Sequence, residues 1–453
     1  MNCCVFFLAL MLYAFISGAL SSHIPSCPAT RNFRQLAAGN VKNISTDVCH
    51  NKRSHNTKEK VKKVAQIPDK IKEEIISSLE QLFATNRTTF SNKGVYELHL
   101  LPNSSANGAV CLDGSPPGFY LRNGTNLEKS KWIIFFQGGA WCHDEDSCYQ
   151  RSYTALGSST CLRGHLRAEV YGGFLSNQAK YNPEFFNWSS VFVPYCDGAS
   201  FTGDREKPLE VNDKLLYFRG RRILDALLEE LLRRGIDKAS EIILSGTSAG
   251  ALSAMVHSDY IRTRLRRVSN ASVRVLADAG FFLDEPSIDG SDTMRYIFRE
   301  TYALHNSSAG LNHDCLHAQK RKRKYRCFFP QYLLPFVSTP VFLVNSLYDS
   351  WQLGSLSNIS CICDFDTCSS EEKSFIKKFR KKTLHALRSV FDLKETAVFA
   401  DACLVHSQCS INDFWTKVQV GNVTIAQAFI NWYRGQVEDR FQIDEPYPSN
   451  LTC

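Results

Sequence analysis

The segment Glu241–Ala251 is an apolar run broken by Gly246-x-Ser248-x-Gly250 and continued by a helix-like stretch. A strand, a tight turn and a helix in that order lift a serine hydroxyl out of the backbone. They also leave the following N–H, on Ala249, free to stabilise an oxyanion. The competing interpretation is a helix N-terminus built from small residues. A serine needs a base, and the base needs an acid to orient it. Asp349 comes just after the apolar run Pro340–Val344, and His406 comes just past Thr396–Ala400. Both lie after Ser248 in the order acid then base that a serine elbow uses. Asp278, after Val273–Ala277, competes for the acid position, although Ala279-Gly280 beside it reads more as a packed turn. Asp401 is near enough to His406 to tether its loop, and His257 reads as a packing histidine on the helix after Ser248. His143, His313 and His317 read as surface residues. With these roles, Asp349 would hold one imidazole N–H while His406 took the Ser248 proton and returned it to a leaving alcohol. The loop Gln137–Cys142, whose Gly138-Gly139 follows the run Lys131–Phe136, is the source of further oxyanion donors, unless it is an ordinary strand-end turn.

Such residues must be held at strand ends. Strands are expected at Tyr96–Leu101, Lys131–Phe136, Ser190–Tyr195, Glu241–Leu244, Val273–Ala277, Pro340–Val344 and Thr396–Ala400. Helices are expected at Asp69–Phe83, Arg219–Arg234, Ala249–Arg266 and Glu371–Phe391, where apolar residues recur every three or four positions. Alternation of strands and helices predicts the α/β class, with a mostly parallel sheet covered by helices on both faces.

The chain has 453 residues, of which 44% are hydrophobic, enough for a large core. Residues 1–22 read as a cleaved secretory signal: the apolar run Val5–Ile16 is short for a membrane span and is followed by small residues. Residues 23–66 read as a flexible polar leader, and 67–453 as the main domain with its N-terminal helix. Seventeen cysteines without zinc spacing favour disulfides over metal, so neither a metal nor a cofactor is expected. Sequons at Asn43, Asn86, Asn103, Asn123, Asn187, Asn270, Asn306, Asn358, Asn422 and Asn450 agree with a secreted glycoprotein. The net charge of +8 includes the cationic run Lys320, Arg321, Lys322, Arg323 and Lys324. That run is either a solvated loop or a site for an acidic polysaccharide such as heparan sulfate. Nucleic acid is not expected as a partner, nor is a membrane span in the mature chain.

Together these residues resemble the pectin acetylesterase/Notum family of secreted serine carboxylesterases over about Tyr96–Tyr433. The motifs are Cys111–Tyr120, Phe136–Cys142, Val193–Gly198, Phe201–Asp204, Gly246–Gly250, Leu276–Gly280, Cys327–Phe329, Tyr348–Trp351 and Cys403–His406. The resemblance implies an α/β-hydrolase-like fold, a triad of Ser248, Asp349 and His406, and an oxyanion hole of the Gly139, Ala140 and Ala249 N–H groups. It also implies bridges Cys111–Cys196, Cys142–Cys148 and Cys315–Cys327. The segment Asp69–Phe83 leading into Glu97–Ser105 is similar to the Notum branch, which removes palmitoleate from Wnt proteins, so an acylated Wnt-type protein is the favoured substrate. Deacetylation of a pectin-like polysaccharide is the alternative, and a catalytically silent binding protein is the third. Two positions depart from the pattern. Ala140 stands where Notum has Trp, with Trp141 next, and Ala251 stands where a further Gly is usual.

Overall fold

Side chains of a strand point alternately to its two faces, so a strand buried on both sides feeds two cores. That is what the central strands do. Trp132, Ile134 and Phe136 enter one apolar cluster while Ile133 and Phe135 enter another, and Ile242 and Leu244 are likewise split from Ile243. The computed structural model describes residues 94–125, 130–167, 171–357, 359–363, 365–436 and 440–453. The expected signal, leader and helix Asp69–Phe83 lie outside the described residues, as do Asn43, Asn86 and Asn358.

The strands are β1 Val95–Leu100, β2 Gly118–Arg122, β3 Lys131–Phe136, β4 His165–Arg167, β5 Ser189–Val193, β6 Leu209–Val211, β7 Lys214–Leu216, β8 Glu241–Thr247, β9 Ser272–Asp278, β10 Val341–Val344, β11 Thr396–Ala400, β12 Gln419–Val420, β13 Val423–Thr424 and β14 Phe441–Ile443. Ten of them form one sheet in the order β14-β11-β10-β9-β8-β3-β5-β2-β1-β4. From β14 to β5 every pairing is parallel; from β5 to β4 every pairing is antiparallel. Among the described residues the α-helices of seven residues or more are α1 Glu145–Arg151, α2 Gly220–Arg233, α3 Ala249–Arg266, α4 Thr293–His305, α5 Ser370–Phe391 and α6 Ile425–Tyr433.

Helices cover both faces. Ile223, Leu227 and Leu231 of α2, the small residues of α3, and Ile376, Leu387 and Val390 of α5 join the first cluster. Ile425, Phe429 and Trp432 of α6 join the second. Capping boxes start α5 (Ser369 with Glu372) and α6 (Thr424 with Gln427), each satisfying two of the N–H groups that a helix start leaves free. The architecture is therefore the α/β-hydrolase-like one expected, and the long strands and helices fall where periodicity placed them. Strands β2, β4, β6, β7, β12, β13 and β14 and helices α1, α4 and α6 were not anticipated. The apolar run of β2 is only Phe119–Leu121, set between Gly118 and Arg122, while β4 and β14 are only three residues long.

Cysteine pairs form at Cys111–Cys196, Cys142–Cys148 and Cys315–Cys327, as the resemblance implied, and also at Cys361–Cys368 and Cys403–Cys453. Cys409 is a buried free thiol. Parallel pairing brings the carboxyl ends of β3, β8, β9, β10 and β11 to one edge of the sheet, where open α/β sheets bind ligands. In register, Phe136 lies opposite Gly246, Thr247 opposite Asp278, and Val344 opposite both Asp278 and Phe399.

Candidate active site

Ser248 follows β8 and caps α3 with φ 57° and ψ −125°, a left-handed conformation that non-glycine residues seldom adopt. The packing around it allows no bulkier turn. A Cβ on Gly250 would lie 2.0 Å from the Phe136 carbonyl oxygen, and one on Gly246 would lie 2.4 Å from the Gly250 carbonyl carbon. The Ser248 N–H donates to the Asp278 carbonyl at 2.8 Å, which ties the turn to β9. The side chain is left at the start of an 18-residue helix, whose N–H groups favour developing negative charge.

Asp349, in the loop after β10, is fully buried. One of its carboxylate oxygens accepts the Gln352 N–H at 2.9 Å, and the other lies 2.8 Å from His406 Nδ1. That contact fixes the imidazole so that Nε2 is its outward atom. Nε2 is buried with no hydrogen-bond partner among the described residues. Asp278 meets the same loop at a different point: its Oδ2 accepts the N–H groups of Gln408 and Cys409 at 2.9 and 2.8 Å. Asp401 accepts from the Cys403 N–H and from the Gln408 side chain, so it braces the loop, as its place in the sequence implied.

The loop after β3 turns through Gly139, with φ +146°, and Ala140, with φ +53°. The carbonyls are held from behind. Arg151 of α1 donates to the Gly139 oxygen at 2.8 Å and Tyr195 to the Ala140 oxygen at 2.9 Å. With both carbonyls held, the N–H groups of Gly139 and Ala140 have no acceptor among the described residues, and neither does that of Ala249. Ser200 joins the two donor segments: its hydroxyl donates to the Ala249 carbonyl and accepts from Trp141 Nε1 at 2.8 Å. Burial pushes the Tyr195 phenol up, which keeps its O–H a donor. Burial also pushes the Asp197 carboxyl up to about 6, even though two N–H groups bond to it.

Aromatic rings close the remaining side. Trp351 stacks on His406 with ring centroids 5.7 Å apart, and Phe282 lies 6.4 Å from the same imidazole. Trp141 packs edge-on against Phe282 at 4.9 Å and Phe298 of α4 at 4.7 Å, and Trp351 lies 6.1 Å from Trp141.

Other candidate residues fall elsewhere. His257 is buried in α3 with Nε2 2.8 Å from the Ser200 carbonyl, and burial lowers its pKa to about 3, so it is a neutral packing residue. His313 and His317 are exposed, while His143 is half-buried against Tyr296. Among the described residues, Cys142, Cys148 and His305 are the one cluster with metal-ligand proximity. Cys142 and Cys148 are bonded to each other, which removes both thiolates. Arg151, Tyr195 and Ser200 were given no role from sequence, although the matched segment Val193–Gly198 holds Tyr195; no local pattern shows which carbonyl a distant phenol will reach. The structure thus joins Asp349 to His406 and leaves three backbone N–H groups unpaired near Ser248, while no hydrogen bond links Ser248 Oγ to His406 among the described residues.

The pectinacetylesterase family model matches residues 89–453. Pectin acetylesterase 7 of Arabidopsis thaliana is 36% identical over 375 residues, covering 80% of this chain and 93% of the plant protein. Palmitoleoyl-protein carboxylesterase NOTUM of Homo sapiens is 30% identical over 345 residues, covering 74% and 66% respectively. The solved structure of the Wnt deacylase Notum from Drosophila aligns with a TM-score of 0.69 at 25% identity, covering 79% of this chain and 99% of that one. With a family model that spans most of its length and a fold shared with a solved relative, this chain belongs to the pectinacetylesterase family of carboxylesterases.

Proposed function

We propose that this chain is a serine esterase that removes short acyl groups, of the acetyl class, from hydroxyls of an extracellular polysaccharide. The observation that carries the acyl preference is the aromatic cluster beside His406: Trp351 and Phe282 contact the imidazole, and Trp141 and Phe298 back them. Phe282 and Phe298 are fully buried and Trp141 is 6% exposed, which supports a confined acyl site. In the reaction, Ser248 Oγ attacks the ester carbonyl as His406 Nε2 takes its proton, with Asp349 stabilising the imidazolium. The N–H groups of Gly139, Ala140 and Ala249 hold the oxyanion. His406 returns the proton to the leaving sugar hydroxyl, and water then cleaves the acyl-serine by the same steps in reverse roles. The matches to plant pectin acetylesterases support the carbohydrate leaving group. The disulfides support secretion, and among the described residues no helix is long and apolar enough to cross a membrane.

Removal of palmitoleate from a Wnt-type protein is the second reading, favoured by the close alignment with the Drosophila Wnt deacylase. Lys320, Arg321, Lys322 and Arg323 are exposed and Lys324 is half-buried, which would suit an anionic surface polysaccharide in either case. The two readings predict opposite results with p-nitrophenyl acetate and p-nitrophenyl octanoate. The first predicts turnover of acetate alone, abolished in Ser248→Ala, with octanoate turnover gained in Trp351→Ala. Efficient octanoate turnover by the unmodified protein would establish the second.

A further inference from the structure

The loop that carries His406 runs from Asp401 to Cys409, and its two halves are secured differently. The half before His406 is sewn to the Asp349 loop. Leu347 N–H donates to the Asp401 carbonyl at 2.8 Å, Ser350 N–H to the Val405 carbonyl at 3.2 Å, and the Ser346 hydroxyl to the Cys403 carbonyl. The half after His406 rests chiefly on Asp278. Its carboxylate accepts the consecutive N–H groups of Gln408 and Cys409, two and three residues past His406. The backbone carbonyl of Asp278 meanwhile accepts the Ser248 N–H. Through its main chain Asp278 holds the nucleophile's turn; through its side chain it holds the base's loop.

We infer that Asp278 is a positioning residue of the proposed hydrolysis, setting the location of the His406 imidazole relative to Ser248. The inference rests on the serine-esterase reading. Three features set this carboxylate apart from an ordinary core acceptor. It is fully buried at the end of the strand next to the nucleophile strand, and its Oδ1 has no hydrogen-bond partner among the described residues. It also lies within electrostatic reach of His406, whose positive charge lowers the Asp278 pKa while burial pushes it up to about 7. The other titratable groups that face it are Asp401, which raises it further, and the Cys409 thiol, which is itself pushed up by burial and by both carboxylates.

Loss of one acceptor from the loop should misplace the imidazole and lower kcat by up to about 100-fold, with KM little changed, and should slow fluorophosphonate inactivation in step.

The test compares the full-length protein with Asp278→Asn and Asp278→Ser on p-nitrophenyl acetate from pH 5 to 9. The rate constant for inactivation by a fluorophosphonate is measured alongside. KM and the inactivation rate constant do not depend on what fraction of the preparation is folded. A drop in kcat at nearly constant KM, with a matching drop in the inactivation rate constant in either variant, supports the inference. An inactivation rate constant unchanged from the parent protein would overturn it, as would a fall in activity explained by folded fraction alone. Failure of the underlying reading is distinguishable, because it would appear as activity and fluorophosphonate labelling that survive in Ser248→Ala.

Discussion

The two loops that flank Ser248 are held by different chemistry. On the oxyanion side, the loop through Gly139 and Ala140 is gripped by its carbonyls, with the Arg151 guanidinium and the Tyr195 hydroxyl as donors. On the base side, the loop through His406 is gripped by both kinds of group: the carbonyls of Asp401, Cys403 and Val405 accept before His406, and the N–H groups of Gln408 and Cys409 donate to Asp278 after it. Each grip follows from what its loop must present. A loop that offers N–H groups to an oxyanion must have its carbonyls satisfied behind, so donors support it. A loop that must keep an imidazole nitrogen free for a proton can have its own N–H groups taken up, and carboxylates do this well in a buried setting. The support also differs in how it titrates. Arginine and a buried phenol keep their protons across neutral pH, whereas carboxylates change charge.

The largest effect expected is from removal of the shared centre. Ser248→Ala and His406→Ala should each lower kcat on acetate esters by about 10⁴-fold or more, and the double variant should be scarcely worse, because the two act as one unit. Additive losses would mean that the two side chains do not share a proton. Next comes the oxyanion side. Tyr195→Phe removes the donor to Ala140 and the acceptor for the Ser200 N–H at 2.9 Å, and should lower kcat by about 10- to 100-fold with KM nearly constant. Its loss should add to that of Asp278→Asn in the double variant, since the two loops are held separately; a clearly non-additive loss would break the distinction between them.

The smallest effect concerns stability. The carboxyls of Asp197 and Asp278 are raised by burial from 3.8 to about 6 and about 7. Each then binds its proton more tightly folded than unfolded. Its contribution to stability is present in full below about pH 4 and is lost as pH rises through the folded value. Asp197→Asn should flatten the decline of Tm between pH 4 and 6, measured by calorimetry, and leave the window from pH 6 to 7 to Asp278. An unchanged slope would remove Asp197 from this account.

Much of the scaffold was legible because it rests on local rules. Strand β3 is Lys-Trp-Ile-Ile-Phe-Phe, too short and too rich in β-branched and aromatic residues for a helix, and α3 begins where the glycine-flanked turn ends. Strand β2 was missed because its apolar run is only Phe119–Leu121, set between Gly118 and Arg122, and α4 because its apolar residues share their face with Thr301 and His305, both fully buried. Trp141 and Trp351 were visible as residues, but nothing local said that they would meet. Their packing is what the proposed acetyl preference rests on, whereas the Notum-branch reading rested on Asp69–Phe83, which lies outside the described residues, and on Glu97–Ser105.

What the amino-acid sequence determined by itself was the serine turn, the order of Ser248, Asp349 and His406 along the chain, and the class of the fold. Those depend on steric limits at glycine, on strand periodicity and on chain order, all readable within a few residues. Only the tertiary structure decided that Asp349 rather than Asp278 meets the imidazole. The same holds for the donors behind the oxyanion loop and for the rings beside His406. The deciding contacts join residues 55 positions apart for Tyr195 and Ala140, 57 for Asp349 and His406, and 130 for Asp278 and Gln408. At such separations the partner is chosen by strand order and register, and both carboxylates had strand-end positions that local sequence could not tell apart.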